Sequence, residues 1–452
     1  MASTKIYRTM STPTNQDKGT ISMWVKKAKL DGNMGLVENY GDGNNRAILY
    51  WNGGEKLSYY DAAAGDSNQS TAEFKDLSGA WVHIVLRIDT SQASASDRVR
   101  TYINGNLLAV NATIYQQDEN SYMFNSGTQM AFGTDSSSNP VDYMEGAMSH
   151  IHYCDGQSYA PTEFAETDSA TGEWKIKTSP SVTYGSQGFF ILKDGNSVTD
   201  QSGNGNNFTI SGSLTKTEDS PSNVFAVFNP LVPKHSDMTL SHGNTTISST
   251  NSQWLGSMTT IPLYGGKWYY ECKYNTGHGL KLSIVGEQSD FRNFKSANNS
   301  YGEYHGNGYG YQFNNSGNDY LGNNNTSTNW GGGLSSNPGT RIYMVAINLE
   351  NGKIWYGTDG TWFNDASGNT GNPSTDAYPH QTISATHLAQ KPFIVTGSVE
   401  GNGATMNWNF GNGYFGTTAV SSAGSNASGF GIFEYDVPTG FTALSTKGIN
   451  SF

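Results

Sequence analysis

The chain predicts an all-β fold of antiparallel sheets, and three observations carry that expectation. Glycine supplies 54 of 452 residues and charged residues only 14%, while Asn, Ser and Thr fill the gaps between short apolar runs. Such a composition suits sheets joined by many tight turns, which consume Gly, Asn, Asp and Ser. Aromatic residues make up 12%, whereas a disordered chain has few aromatics and a high net charge. The third observation is the segment 342–363, IYMVAINLENGKIWYGTDGTWF. It reads as a meander: an apolar run at 342–349, the pair Asn351-Gly352, a strand at 353–356, and a turn from Gly357 to Gly360 before Trp362. Asn-Gly between apolar runs predicts a hairpin whose two turn residues take positive φ.

At 452 residues the chain can form two or three domains, each with its own core. Short strands are predicted at 20–26 (TISMWVK), 47–51, 81–88, 99–103, 129–133 and 147–153. In 81–88, Trp81, His83, Val85 and Arg87 alternate with Val82, Ile84, Leu86 and Ile88, giving one apolar and one mixed face. Asn104-Gly105 closes a hairpin. Later strands are predicted at 267–274 (KWYYECKY), 281–286, 309–314, 392–397 and 405–410. No coiled-coil heptad is present, so no trimeric shaft is expected.

These motifs carry resemblances. TISMWVK, WVHIVLRID, RTYINGN and GAMSHIHYCDG resemble the laminin-G-like, concanavalin-A-like jelly roll over residues 1–154. Residues 155–230, rich in Trp, Phe and Ile, are expected to be an ordered connector packed on that first sandwich. Their order of landmarks, ending in DSPSNVFAVFNPL, resembles a cassette of tailed-bacteriophage tail and adhesin components. Residues 231–452, with WYYE, VAINLENGKIW, PFIV and MNWNFG in order, resemble a SPRY (B30.2-like) sandwich. FEYDVPTGFTALST at 433–446 is similar to endings of phage structural proteins. The resemblance implies a virion protein made in a host cytoplasm and displayed on the particle in multiple copies, alongside other virion proteins.

Net charge is −12, and the densest basic group is Lys26, Lys27 and Lys29. That argues against nucleic acid, whose binding requires a basic surface. No apolar run approaches membrane-spanning length, and from the start, MASTK, no secretory signal is expected. Cys154 and Cys272 are expected to be free buried thiols.

Catalytic signals are weak. A retaining glycoside hydrolase needs two carboxyl groups about 5–5.5 Å apart. Glu166 and Asp168 begin an even-spaced pattern that Ala170 and Thr171 do not continue, and Glu434 and Asp436 are followed by Pro438; turn or capping roles fit them better. His150 and His152 share a strand face, with no third metal ligand nearby in sequence. Gly411-x-Gly413-x-x-Gly416 matches the dinucleotide fingerprint in letters, but no helix follows to face a pyrophosphate. Calcium is the one cofactor the chain suggests, through the oxygen-rich turns of Asp42 and Asn44 and of Asp200 and Asn204.

Trp24, Trp81, Trp268, Trp355 and Trp408 fall inside strand patterns and are expected in the core. Trp51, Tyr59, Tyr60, Tyr301, Tyr304, Tyr309, Tyr311, Trp330 and Trp362 lie beside Gly/Asn turns. Loop aromatics next to amides suit sugar recognition, where a ring stacks on a pyranose face. The expected function is therefore non-catalytic recognition of a host-surface glycan or protein. The alternatives are a capsid-decorating or tail-accessory protein clamping neighbouring subunits and, with less support, a polysaccharide depolymerase.

Overall fold

The TISMWVK run forms the strand Lys18–Lys27 in a computed structural model that describes residues 4–30, 32–77, 79–135, 142–193, 197–286, 308–314, 318–323, 326–330 and 340–451. The fold is all-β, and the chain divides into two compact units. The first comprises Met1–Lys216 with Ser220–Ser222; the second comprises Thr217–Asp219 with Asn223–Phe452.

In the first unit a six-stranded sheet runs Phe189–Ile191, Gly146–Asp155, Lys18–Lys27, Trp81–Asp89, Val99–Ile103, Asn106–Leu107. A seven-stranded sheet runs Thr209–Ser211, Lys5–Thr9, Gln129–Phe132, Met34–Asp42, Asn45–Trp51, Leu57–Asp61, Asp66–Gln69. Residues expected in a connector supply an edge strand to each sheet, through Phe189–Ile191 and Thr209–Ser211. Alternation decides which side chains meet: Ile21, Met23 and Val25 lie beside Val82, Ile84, Leu86 and Ile88 on one sheet face, in one buried cluster with Leu49, Trp51 and Phe132. Their partners in alternation form the other face of the six-stranded sheet, where Trp24, His83 and Trp174 stack in succession. Asn104 and Gly105 both take positive φ, 47° and 79°, and Ile103 pairs with Asn106, so this hairpin has the two-residue turn its sequence predicts.

The second unit holds a sheet ordered Met238–Ser241, Thr246–Ser249, Ala404–Asn409, Lys267–Thr276, Arg341–Asn348, Lys353–Thr358, Thr361–Trp362. A second sheet is ordered Trp254–Leu263, Phe393–Glu400, Gly279–Gly286, Gly308–Asn314, Asn318–Asn323, Thr326–Asn329. Tyr270, Cys272, Val345, Ile347, Tyr356 and Trp408 point between them. Tyr269, Met344 and Trp355, of opposite parity, are covered instead by Phe433, Val437 and Phe441. The same cover buries Glu271, whose carboxylate accepts from the backbone N–H groups of Glu434 and Tyr435, each at 2.9 Å.

The predicted meander is present, but its first turn differs from expectation. Asn348 pairs with Lys353, so residues 349–352 form the loop, and Gly352 has positive φ while Asn351 does not. The Asn348 side chain explains the longer loop, because its carbonyl oxygen accepts from Glu350 N at 2.9 Å. No helix among the described residues is long and apolar enough to cross a membrane.

Candidate functional site

The outer face of the seven-stranded sheet carries a cavity of about 350 Å³, lined by Asn33, Gly35, Gly43, Arg46, Ile48, Tyr50, Tyr60, Ser67, Asp135 and Asp142. Strand register builds its floor. Glu38 pairs with Ile48, Ile48 with Tyr60, and Tyr60 with Ser67, so these four side chains form one row across four strands. Beside that row, Tyr40 pairs with Arg46. The Arg46 guanidinium lies 2.8 Å from the buried Glu38 carboxylate and 3.3 Å from Asp135. It also sits 5.9 Å from the ring centroids of both Tyr40 and Tyr60, within cation–π range. Arg46 is thus fixed by two carboxylates and two rings, and the Tyr60 ring is held in place with it.

One wall depends on a glycine. A Cβ at Gly35 would lie 2.2 Å from the Thr134 carbonyl carbon, so only glycine allows the backbone at 134–135 to come this close and bring Asp135 over the sheet. Gly35 N also donates to the Asp142 carbonyl at 2.9 Å. The result is a hollow lined by two tyrosines, one guanidinium and two carboxylates, a combination that fits a small polar ligand with ring-shaped apolar faces.

Of the aromatics predicted to bind, Tyr60 lines this cavity. Trp51, Tyr59, Tyr309 and Tyr311 are corrected: all are buried in the cores, at 1% exposure or less. Parity is the reason. Ala47, Leu49 and Trp51 share the inward face of their strand, and Tyr59 pairs with Leu49 on it. Trp51 is packed edge-on against Phe74 with the Lys27 ammonium 4.7 Å from its ring. The Tyr59 hydroxyl donates to Asp61 at 2.9 Å inside a network with Tyr115 and Ser121. Tyr309 donates or accepts at His387 Nδ1, 2.7 Å away, and Tyr311 packs among Tyr343, Tyr356 and Phe363. Trp330 and Trp362 are partly buried and lie against the second unit's apolar clusters. Tyr301 and Tyr304 fall outside the described residues. Sequence reading missed Arg46, Tyr50, Ser67, Asp135 and Asp142. For Arg46 and Tyr50 a signal existed, because they alternate with Ala47, Leu49 and Trp51; for Asp135 and Asp142, brought in by loops, it did not.

The expected core tryptophans Trp24, Trp268, Trp355 and Trp408 are buried, while Trp81 is partly exposed. The remaining polar candidates are engaged structurally. Asp42 accepts from Asn44 N at 2.8 Å in an exposed turn. The Asp200 carboxylate accepts from the N–H groups of Phe190, Ser202 and Asn206 and from the Ser202 hydroxyl, all at 2.8–2.9 Å. Asn204 donates to the carbonyls of Gly185 and Gly188. Backbone donation from Ala170 and Thr171, then Lys175, draws the Asp168 carboxyl down to about 2, and Lys175 also contacts Glu166. Glu434 and Asp436 accept from Ser421 and Ser425. His150 accepts from or donates to Ser149, and His152 pairs with the Tyr184 hydroxyl. Gly411 N and Gly413 N donate to Asn409 Oδ1, so this glycine run caps its own strand. Among the described residues no group of three or more His, Cys, Asp or Glu is placed to hold a metal ion.

Residues 3–157 match a family model described as the concanavalin A-like lectin/glucanases superfamily. No curated protein matches the chain. Among solved structures, mouse laminin alpha1 domains LG4-5 are similar at 7% identity and a TM-score of 0.29, covering 90% of this chain and 85% of that one. The SPRY domain of human HERC1 is similar at 8% identity and a TM-score of 0.28, covering 40% and 96%. The CBM40 module of a Ruminococcus gnavus sialidase, bound to sialyllactose, is similar at 16% identity and a TM-score of 0.23, covering 29% and 72%. At these identities and TM-scores the structural likenesses carry no functional argument; the family match marks the first unit as concanavalin-A-like.

Proposed function

We propose that this chain is a non-catalytic surface protein of a tailed-phage particle that recognises a host-surface glycan through the Arg46–Tyr60 cavity of its first unit. The single observation that supports this most is that cavity: Tyr50 and Tyr60 line a hollow together with Ile48 and the hydrogen-bonding side chains of Asn33, Arg46, Ser67, Asp135 and Asp142. Aromatic contacts contribute roughly 0.5–1.5 kcal/mol each, so one copy binds weakly once association costs are counted. Many copies on one particle raise avidity by about 10²–10⁴. The phage setting rests on the similarity of residues 155–230 and 433–446 to phage structural proteins. The protein would neither insert into membrane nor bind nucleic acid.

The purified chain should bind host cells, and stripping surface glycans or changing Tyr60→Ala should remove at least nine-tenths of that binding. Binding that survives both treatments would sink the glycan reading. Antibody against the chain should decorate intact virions. A second reading, a decorating or tail-accessory protein clamping neighbouring subunits, is favoured by Tyr264 and Tyr378, which are 65% and 48% exposed in the second unit. Under that reading, Tyr264→Ser with Tyr378→Ser would strip the protein from particles while leaving cell binding by free protein intact.

A further inference from the structure

Resting on the glycan reading, the charge arrangement of the same cavity points to its ligand class: we propose that it selects neutral saccharides and rejects acidic ones. An arginine in a sugar site would ordinarily suggest a carboxylate or sulfate partner, since a guanidinium matches such anions in shape and charge. Here one nitrogen of that guanidinium, Nη2, already faces two carboxylates. Glu38 lies 2.8 Å from Arg46 Nη2 and Asp135 lies 3.3 Å from the same nitrogen. Glu38 is fully buried and cannot swing aside into water. Asp142 adds another carboxylate to the lining, and Arg46 is the only cationic side chain among the lining residues. Three carboxylates against one guanidinium leave the hollow net negative, within a chain of formal charge −12.

An incoming uronate or sialate would meet an Arg46 charge already offset by Glu38 and Asp135, with the Asp142 carboxylate beside it. Both cost free energy in a partly desolvated site. A neutral sugar meets neither obstacle: its hydroxyls donate to carboxylate oxygens while its ring face lies on tyrosine. The cavity, about 350 Å³, is at the small end of ligand sites, which suits a short neutral saccharide or one end of a longer chain. Arg46 then acts as a positioning residue, holding the Tyr60 ring.

The test pairs each neutral sugar with an acidic counterpart: lactose with α2,3-sialyllactose and cellotriose with trigalacturonate. Each is titrated calorimetrically into the full chain at low salt. At least one neutral member should bind, with at least tenfold weakening by Tyr60→Ala. Its acidic counterpart should bind at least tenfold more weakly, and Asp142→Asn should narrow that gap by several-fold, as should raised salt. Gly43→Trp serves as a second variant, because Gly43 has an ordinary backbone conformation and open space around its Cβ direction. It should plug the mouth without disturbing the core, and unchanged thermal unfolding would verify that. If an acidic sugar binds as tightly as its neutral partner, and Tyr60→Ala and Gly43→Trp abolish that binding, the neutral-sugar inference fails while the glycan reading stands. If no sugar shows binding sensitive to either variant, the glycan reading itself fails and takes the inference with it.

Discussion

Tyr59 and Tyr60 are adjacent in the chain and opposite in role, and that one-residue difference separates a core residue from a cavity residue. Tyr59 points into the sandwich with Leu57 and Leu49, whereas Tyr60 joins the outer row with Ile48 and Ser67. Trp51 obeys the same rule, so Trp51→Ala should lower unfolding free energy by about 3–5 kcal/mol, measured by denaturant titration; a loss below 1 kcal/mol would contradict its place in the core. The Lys27–Glu55 ion pair is 1% exposed on both sides and stands against Trp51. Removing one partner strands a buried charge, so Lys27→Met should cost about 3–5 kcal/mol, and adding Glu55→Leu should recover most of it. A double variant no more stable than the single would show that the pair's charges are not what binds this corner. The proximity of Trp51 to Asn52 and Gly53 suggested a loop aromatic; strand parity, which is written in the sequence, overrides that proximity.

At the scale of elements, tight turns were legible where backbone chemistry leaves one solution. Asn104-Gly105 needs two positive φ values and has them. A Cβ at Gly105 would also meet the Trp174 ring at 2.9 Å, so Gly105→Ala should cost about 1–2 kcal/mol from the left-handed backbone alone, with ring displacement added; a neutral outcome in thermal unfolding would refute the tightness of that hairpin. Asn351-Gly352 shows the limit, because Asn348 recruits two more residues into the turn through its side chain. Strand Met34–Asp42 escapes the pattern, since its glycines and acids hide the alternation, yet it supplies Gly35 to the cavity lining and Glu38 to Arg46. The Asp200 loop is closed by four protein donors. A chelator should therefore leave the first unit's melting temperature unchanged, and a clear drop would instead assign calcium to that loop.

For the whole molecule, the outstanding feature is histidine buried neutral. Burial pushes His83 down to about 3 and His380 to about 4, and burial followed by neighbouring His150 holds His152 well below its ordinary value. Trp174 Nε1 donates to His83 Nδ1 at 3.1 Å, which places the His83 proton on Nε2, facing the Ser22 hydroxyl at 2.8 Å. The folded pKa values lie below the unfolded 6.5, so between them the unfolded chain binds more protons. Stability is then complete above pH 6.5 and falls as pH drops through the window toward 3–4. Each such histidine should cost about 2 kcal/mol at pH 5. Unfolding free energy followed from pH 7 to pH 5 should fall steeply, and His83→Gln should reduce the slope by roughly one proton; an unchanged slope would mean His83 is already charged or exposed.

Composition and alternation by themselves determined that this chain folds as turn-rich β structure, because period-two apolar runs and turn-forming residues suit strands and tight reversals. Local chemistry also determined the hairpins in which only glycine and asparagine can reverse the chain. Only the tertiary structure decided which outward-facing aromatics line a hollow. That choice depends on register between strands far apart in sequence and on loops, such as the one carrying Asp135, that pack where a missing Cβ at Gly35 lets them in.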